Sequence, residues 1–172
     1  MQIKKELFNL PSNEIKMYGK QNLIYGSLTR KGTVNLVKTI NKHIKQNIYG
    51  IDLGCGDGEL IYQLGTLLPD SKWDGVEISH HRVNLQKHDV NIWQGDLLEE
   101  NLRNYNIIHV DNLCFDDDLS NKLEQKLIDE FKGLLITYKD PINERFLAKS
   151  CFIELVQLEA TWGLHNLLFY YV

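Results

Sequence analysis

The residues with chemical potential fall in three short stretches. The first, Asp52-Leu53-Gly54-Cys55-Gly56-Asp57-Gly58, has glycine at alternate positions. Glycine there lets the backbone turn sharply and approach a ligand closely. Such a loop alone is compatible with NAD, FAD or a nucleoside. Asp52 narrows the choice, because a carboxylate repels a pyrophosphate and suits a cationic ligand. The second acid, Glu77, follows the loop by about twenty residues, a spacing at which a carboxylate can accept both ribose hydroxyls. The third, Asp96 in Gly95-Asp96-Leu97, is placed to meet an adenine amino group. S-Adenosylmethionine has no phosphate and carries an ammonium and a sulfonium, so it is the expected cofactor. Singly, these residues also read as turn glycines and helix-capping acids. Together they sit at successive strand ends, where open α/β sheets bind ligands.

The elements that must position them alternate. Thr33–Lys45 places Val34, Val37, Ile40 and Ile44 at helical spacing. A buried strand at 47–53 precedes the glycine loop, and Glu59–Leu68 is the next helix. Strands at 73–78, 90–93, 106–110 and 133–138 then alternate with helices from Ser79 through Gln86, over Leu119–Phe131 and over Ile142–Lys149. Two strand-like runs, 152–160 and 167–172, follow with about six residues between them and must pair antiparallel. Alternating strands and helices predict a mostly parallel sheet covered on both faces. One reversed strand at its end gives a seven-stranded α/β sheet of the class I, Rossmann-like methyltransferase type. Residues 1–46 read as a basic arm and helix with a cofactor-covering loop, and 47–172 as the core. Residues 1–24 read as an arm.

With 172 residues, 43% apolar and 24% charged, the chain suits a single globular domain. No apolar run approaches the roughly 20 residues of a membrane helix, and the first residues lack the apolar core of a signal peptide. Three widely spaced cysteines, Cys55, Cys114 and Cys151, argue against a disulfide framework and for a reducing, intracellular compartment. His80, His81 and His88 show no ligand partner spacing, so no metal is expected. The net charge of −4 conceals an asymmetry: residues 1–49 carry +7 and the remainder −11. A basic N-terminal part facing a polyanion is the expectation.

More specific pieces flank the glycine loop. Tyr25-Gly26-Ser27-Leu28 precedes the first strand, and Gly95-Asp96-Leu97-Leu98-Glu99-Glu100 follows the third. Val110-Asp111-Asn112-Leu113-Cys114-Phe115 ends the fourth, and Trp162 and Tyr170-Tyr171 lie in the last hairpin. In order and spacing they resemble the disruptor-of-telomeric-silencing (Dot-one-like) family of non-SET histone lysine methyltransferases. That family shows Tyr-Gly-Glu, Asp-Leu-Gly-Ser-Gly-Val-Gly, Gly-Asp-Phe-Leu, Val-Asn-Asn-Phe-Ala-Phe, and Ser-Trp-Thr followed by Tyr-Tyr. The resemblance runs from about Tyr25 to the end and suggests a minimal catalytic core.

The resemblance implies a cofactor site of Tyr25, Ser27, Asp52, Gly54, Cys55, Gly56, Gly58, Glu59, Glu77, Asp96, Leu97 and Asp111. Ser27 replaces the family's glutamate and Cys55 its loop serine. Asp111 takes the first asparagine of the Asn-Asn pair beside the transferring methyl, Asn112 keeps the second, and with Tyr25 they form the implied catalytic set. Phe115 and Trp162 match residues of a lysine channel; its tyrosine falls on Phe169 without a gap or on Tyr170 with one inserted residue. The implied substrate is a lysine in the folded core of histone H3 on nucleosomes. Arg30 and Lys31 would then meet the octamer's acidic patch, and Lys4, Lys5, Lys16 and Lys20 the DNA. A monomer is expected. Its location would be the nucleus or, if the source is a large DNA virus, the host nucleus, a cytoplasmic virus factory or the virion. The alternatives are a class I enzyme for another protein or small-molecule amine, and a weakly active fold that docks on chromatin.

Overall fold

The computed structural model describes residues 5–45 and 47–172, so Lys4 lies outside the described residues. Helices are α1 (Ser12–Tyr18), α2 (Arg30–His43), α3 (Glu59–Leu67), α4 (His80–Val83), α5 (Asp117–Glu130) and α6 (Glu144–Lys149). Strands are β1 (Tyr49–Leu53), β2 (Lys72–Glu77), β3 (Asn91–Gln94), β4 (Ile107–Val110), β5 (Leu134–Thr137), β6 (Cys151–Ala160) and β7 (Gly163–Tyr171). They form one sheet in the order β3-β2-β1-β4-β5-β7-β6. The first five are parallel, and β7 runs antiparallel to both β5 and β6. Both central strands β4 and β5 are buried at every position, as near-continuous apolar runs under two covering layers require.

On one face, Leu36, Val37 and Ile40 of α2 and Leu60, Ile61 and Leu64 of α3 share a core with Ile107, Ile136, Leu167 and Phe169. On the other, Leu123 and Leu127 of α5 and Phe146 of α6 pack with Ile51, Leu53, Ile108 and Leu135. Helix α2 starts three residues before the expected Thr33, because the Thr29 hydroxyl caps it by accepting from the Gly32 amide at 3.1 Å. Asp116 caps α5 in the same way, at 2.8 Å from the Leu119 amide. Asp117 and Asp118 then occupy its first turn, where the helix dipole favours acids.

Two expectations need correction. The last hairpin has no six-residue link. Ala160 pairs with Gly163, leaving only Thr161 and Trp162 in the turn. Gly163, at φ 129°, reverses the chain in a conformation that L side chains rarely adopt. The exposed Leu164, with His165 and Asn166, then continues β7. Nor is the N-terminal part a loose arm. Leu7, Leu23 and the carboxylate of Glu14 are buried, and residues 5–29 form a cap over the carboxyl ends of the parallel strands. Among the described residues, no helix is long and apolar enough to cross a membrane.

Candidate active site

Two connected cavities open where the parallel strands end. The larger, about 240 Å3, lies between the cap and the loops after β2, β3 and β4, lined by Leu23, Glu77, Arg82, Asp96, Leu97 and Phe115. The smaller, about 20 Å3, lies beneath it among Ser27, Asp52, Cys55, His109 and Tyr138. Tyr25, Gly26, Gly54 and Asp111 belong to both and form the neck.

The three loop glycines divide their work. Gly54 stands at φ +89° with nothing within 4 Å of where a Cβ would sit, so its backbone is open to a ligand. A Cβ on Gly56 would strike the Tyr25 ring at 2.2 Å, so that glycine makes room for the cap. Gly58, left-handed at φ 77°, precedes the first turn of α3. Gly56, Gly58 and Glu59 line neither cavity. Glu59 instead faces His88 at 3.2 Å and accepts from Gln63.

Glu77 ends β2 with its carboxylate fixed in place. It accepts from the amides of Gly56 and Ser79, each at 2.9 Å, and lies 3.7 Å from Arg82. Burial raises its pKa and Arg82 opposes the rise. The Arg82 guanidinium, itself buried, donates to the Leu7 carbonyl at 3.1 Å and to that of Leu23, and covers the Tyr25 ring at 5.0 Å. It therefore ties both ends of the cap to the acid at the end of β2. Glu14 adds bonds to the Ser79 hydroxyl (2.5 Å) and the His81 amide (3.1 Å). Across the mouth, Asn22 donates to Asp116 at 2.8 Å and accepts from its amide at 2.9 Å.

Asp111 follows β4 at the neck. Its carboxylate accepts one weak bond, from the Leu113 amide at 3.3 Å, and among the described residues it has no ion-pair partner. Burial raises its pKa from the ordinary aspartate value, with His109 drawing it back. Asn112 points elsewhere. Its Oδ1 accepts from the Thr137 hydroxyl (2.6 Å) and from the amides of Tyr138 and Lys139 (each 3.0 Å), so it splices the ends of β4 and β5.

Trp162, at the hairpin tip, lies so close on Gly26 that a Cβ there would fall 1.1 Å from a ring carbon. Leu28 bridges Ala160, and the Thr161 amide donates to the Ser27 carbonyl at 2.9 Å, so hairpin and Tyr25 loop form one wall. Phe169 and Tyr170 are remote from it. Tyr170 pairs with Leu135 and Phe169 with Ile136, while Thr137, at the carboxyl end of β5, pairs with Leu168. The two-residue turn sets this register and places both rings beside the middle of β5, away from Trp162 and outside both cavities. Phe169 joins the α2 core, and Tyr170 packs edge-on against Phe146 and Phe152. The β7 side chain beside Trp162 is His165, edge-on at 5.4 Å.

Sequence reasoning missed Arg82, Asn22, Glu14, His109 and Tyr138. Only His109 had left a trace, as an ionisable residue inside the apolar run Ile107–Val110. Burial pushes the Cys55 thiol well up, which keeps it protonated. Lys5, Lys16, Lys20, Arg30 and Lys31 are exposed, with Lys31 3.4 Å from Glu159. Among the described residues no three His, Cys, Asp or Glu side chains are grouped to hold a metal ion.

The lining fits a cationic nucleoside better than a phosphorylated one. Glu77, Asp96, Asp111, Asp116 and Asp118 face the larger cavity against Arg82 and Lys122, and Arg82 is already engaged with Glu77. Strand order and cavity position define the class I, Rossmann-like fold of S-adenosylmethionine-dependent methyltransferases. The ribosomal protein L11 methyltransferase of Campylobacter jejuni is 30% identical over 134 residues, covering 72% of this chain and 48% of that protein. The chain thus spans about half the length of the curated relatives it matches. An S-adenosylmethionine-dependent methyltransferase from Aquifex aeolicus superposes with TM-score 0.57 at 12% identity, covering 81% of this chain and 89% of the other. A mutant of MtNAS in complex with S-adenosylmethionine gives 0.60 at 12% identity, covering 97% and 69%. At such identities the likeness is one of fold. No protein-family model matches the chain.

Proposed function

We propose that this protein transfers a methyl group from S-adenosylmethionine to an amino group of a protein. The observation that carries the reading is Asp111, a carboxylate with no ion pair among the described residues, shared by a nucleoside-sized cavity and a chamber of about 20 Å3. One probe-sized volume is room for a water, and equally for a methyl or amino group. Glu77 holds the ribose hydroxyls, Asp96 meets the adenine edge, and the second oxygen of Asp52 takes the amino acid's ammonium. When bound, the cofactor supplies a methyl carbon made electrophilic by its sulfonium. The chain then chiefly aligns the incoming amine. Leu28 and Tyr138, buried in the wall of the small chamber, desolvate it and favour its neutral form, while Phe115 lines only the larger cavity and Trp162, 40% exposed, lines neither. A protein substrate is supported by the Campylobacter relative, whose name specifies a ribosomal protein.

A lysine in the folded core of histone H3 on nucleosomes is the second reading, favoured by the exposed cations Lys5, Lys16, Lys20, Arg30 and Lys31. Arg30 begins the helix that follows the Tyr25 loop, and its fork suits clustered carboxylates. Labelled cofactor offered with nucleosomes, free histones, ribosomal proteins and small amines separates the readings. Label in protein lysine supports the proposal, and label only in small amines overturns it. Calorimetry should show cofactor binding that Glu77→Ala weakens. Binding of NAD in its place would refute the assignment. Asp111→Ala should cut turnover at least about tenfold while cofactor affinity holds, the mark of a group that acts on the amine.

A further inference from the structure

We propose that Asp52, His109 and Tyr138 form a proton-accepting row that deprotonates the substrate amine. The inference rests on the methyl-transfer reading. The three side chains come from β1, from β4 and from the residue after β5, adjacent strands in the sheet, and all point to the α2–α3 face. His109 Nδ1 lies 2.7 Å from Asp52 Oδ1, and His109 Nε2 lies 3.2 Å from the Tyr138 hydroxyl. All three are buried, and all three line the small chamber with Asp111.

Fold stability does not call for such a row. Buried polar groups must be paired to be tolerated, and apolar residues of similar volume are often as stable as a buried ionic pair. The reaction does call for it. Asp111 attracts the substrate as an ammonium, which has no lone pair to attack with, and a carboxylate beside an ammonium holds its proton in place. A base must therefore stand on another side of the same chamber. Tyr138 is placed to take that part. One N–H bond of the ammonium breaks as an O–H bond forms on Tyr138, whose own proton passes to Nε2 of neutral His109. The amine is left with its lone pair, Tyr138 is again a neutral phenol, and His109 becomes an imidazolium held by Asp52. Tyr138 is the catalytic residue of the row and His109 a positioning residue that acts through it.

The groups facing His109 are Asp52 from β1, Tyr138 after β5, Asp111 from the end of its own strand, and Tyr25 and Cys55 from the loops. Burial lowers the imidazole pKa, but Asp52 and then Asp111 more than offset this, so it lies above the ordinary 6.5. The row accepts a proton only when His109 is neutral. The rate should therefore rise as pH climbs through that raised value.

The test uses the full chain, labelled S-adenosylmethionine and, as acceptors, nucleosomes, free core histones and ribosomal proteins. Tyr138→Phe keeps the ring and removes only the hydroxyl. It should slow single turnover by about ten- to a hundredfold, abolish the acid limb of the pH profile, and leave cofactor affinity within about twofold. His109→Gln should lose the same limb, and serves if the phenylalanine variant folds poorly. In cofactor-free protein, NMR titration should place the His109 transition above 6.5, and Asp52→Asn should move it down. An active wild type whose rate and acid limb survive Tyr138→Phe would overturn the row alone. A wild type that methylates none of the offered acceptors would overturn the methyl-transfer reading, and the row with it.

Discussion

Replacing Arg82 with methionine should detach the cap. Methionine keeps much of the buried volume and removes the charge and every donor. Three things are lost. Glu77 keeps its two amide bonds but loses its cation at 3.7 Å. The Leu7 and Leu23 carbonyls lose their donor. The Tyr25 ring loses the guanidinium at 5.0 Å. Removing one member of a buried ion pair costs about 3–5 kcal/mol, and each orphaned buried carbonyl adds about 1–3 kcal/mol unless water reaches it. The two carbonyl bonds and the ring contact join the cap to the core, whereas the Glu77 pair lies within it, so the cap should open before the core unfolds. Hydrogen exchange reads that directly. Amides of residues 12–24 should lose protection while those of β1, β4 and β5 keep theirs. Cofactor affinity should fall at least about tenfold, since cap residues form much of the larger cavity. Arg82→Lys keeps a charge but not the fork, and should fall between. Unchanged protection of the cap together with unchanged cofactor affinity in Arg82→Met would refute the reasoning.

Tyr170→Phe should leave turnover and stability unaltered, because the ring packs against Phe146 and Phe152 and lines neither cavity; slowed methylation with intact folding would restore it to the substrate channel. Gly26→Ala forces a methyl into the Trp162 ring, and overpacking of this kind costs about 1–3 kcal/mol, so thermal unfolding should drop by several degrees. A melting curve unchanged by Gly26→Ala would mean that hairpin tip and loop are not locked. Stability should also depend on pH through His109. Its folded pKa exceeds 6.5, so its contribution is complete below that value and declines as pH rises through the raised one. Denaturant midpoints measured from pH 6 upward should fall in the wild type relative to His109→Gln. Glu77, which His109 does not touch, is present in both and cancels from the comparison.

Much of this architecture could be read from residues alone. The alternation of apolar runs with helical spacing located every strand and helix of the core to within a few residues, and strand ends located Asp52, Glu77, Asp96 and Asp111. What escaped depended on pairing rather than pattern. The stretch Gly163–Asn166 is glycine-led and mostly polar, so it reads as loop, yet hydrogen bonds to β6 carry it into the sheet. The placing of Phe169 and Tyr170 in a channel came from the resemblance, aligned from Trp162, and the pairing of β7 with β5 carries both rings away from Trp162. The cap escaped because its buried apolar anchors, Leu7 and Leu23, are scattered among polar residues. They stay down because Arg82, about sixty to seventy-five positions away, satisfies their carbonyls. Asn112 shows the converse: a motif position whose side chain serves the backbone of the next strand.

Strand β6 has consequences for self-association. It is ten residues long and forms one margin of the sheet, and short of Glu159 and Ala160, which Thr29 and Leu28 cover, one row of its amides and carbonyls has no strand beside it among the described residues. Phe152 and Leu155 are about half exposed on it. A long apolar margin of this kind is a template for a second chain. Two features oppose that. The register shift between Phe152 and Glu154 breaks the straight run near its start. Charge follows, with Glu154 held by Lys42 and His43 and Glu159 by Lys31. The same contacts that seat α2 on the sheet therefore keep carboxylates along the strand, and losing Glu154 would both loosen the helix and expose a surface inclined to pair with its own copies.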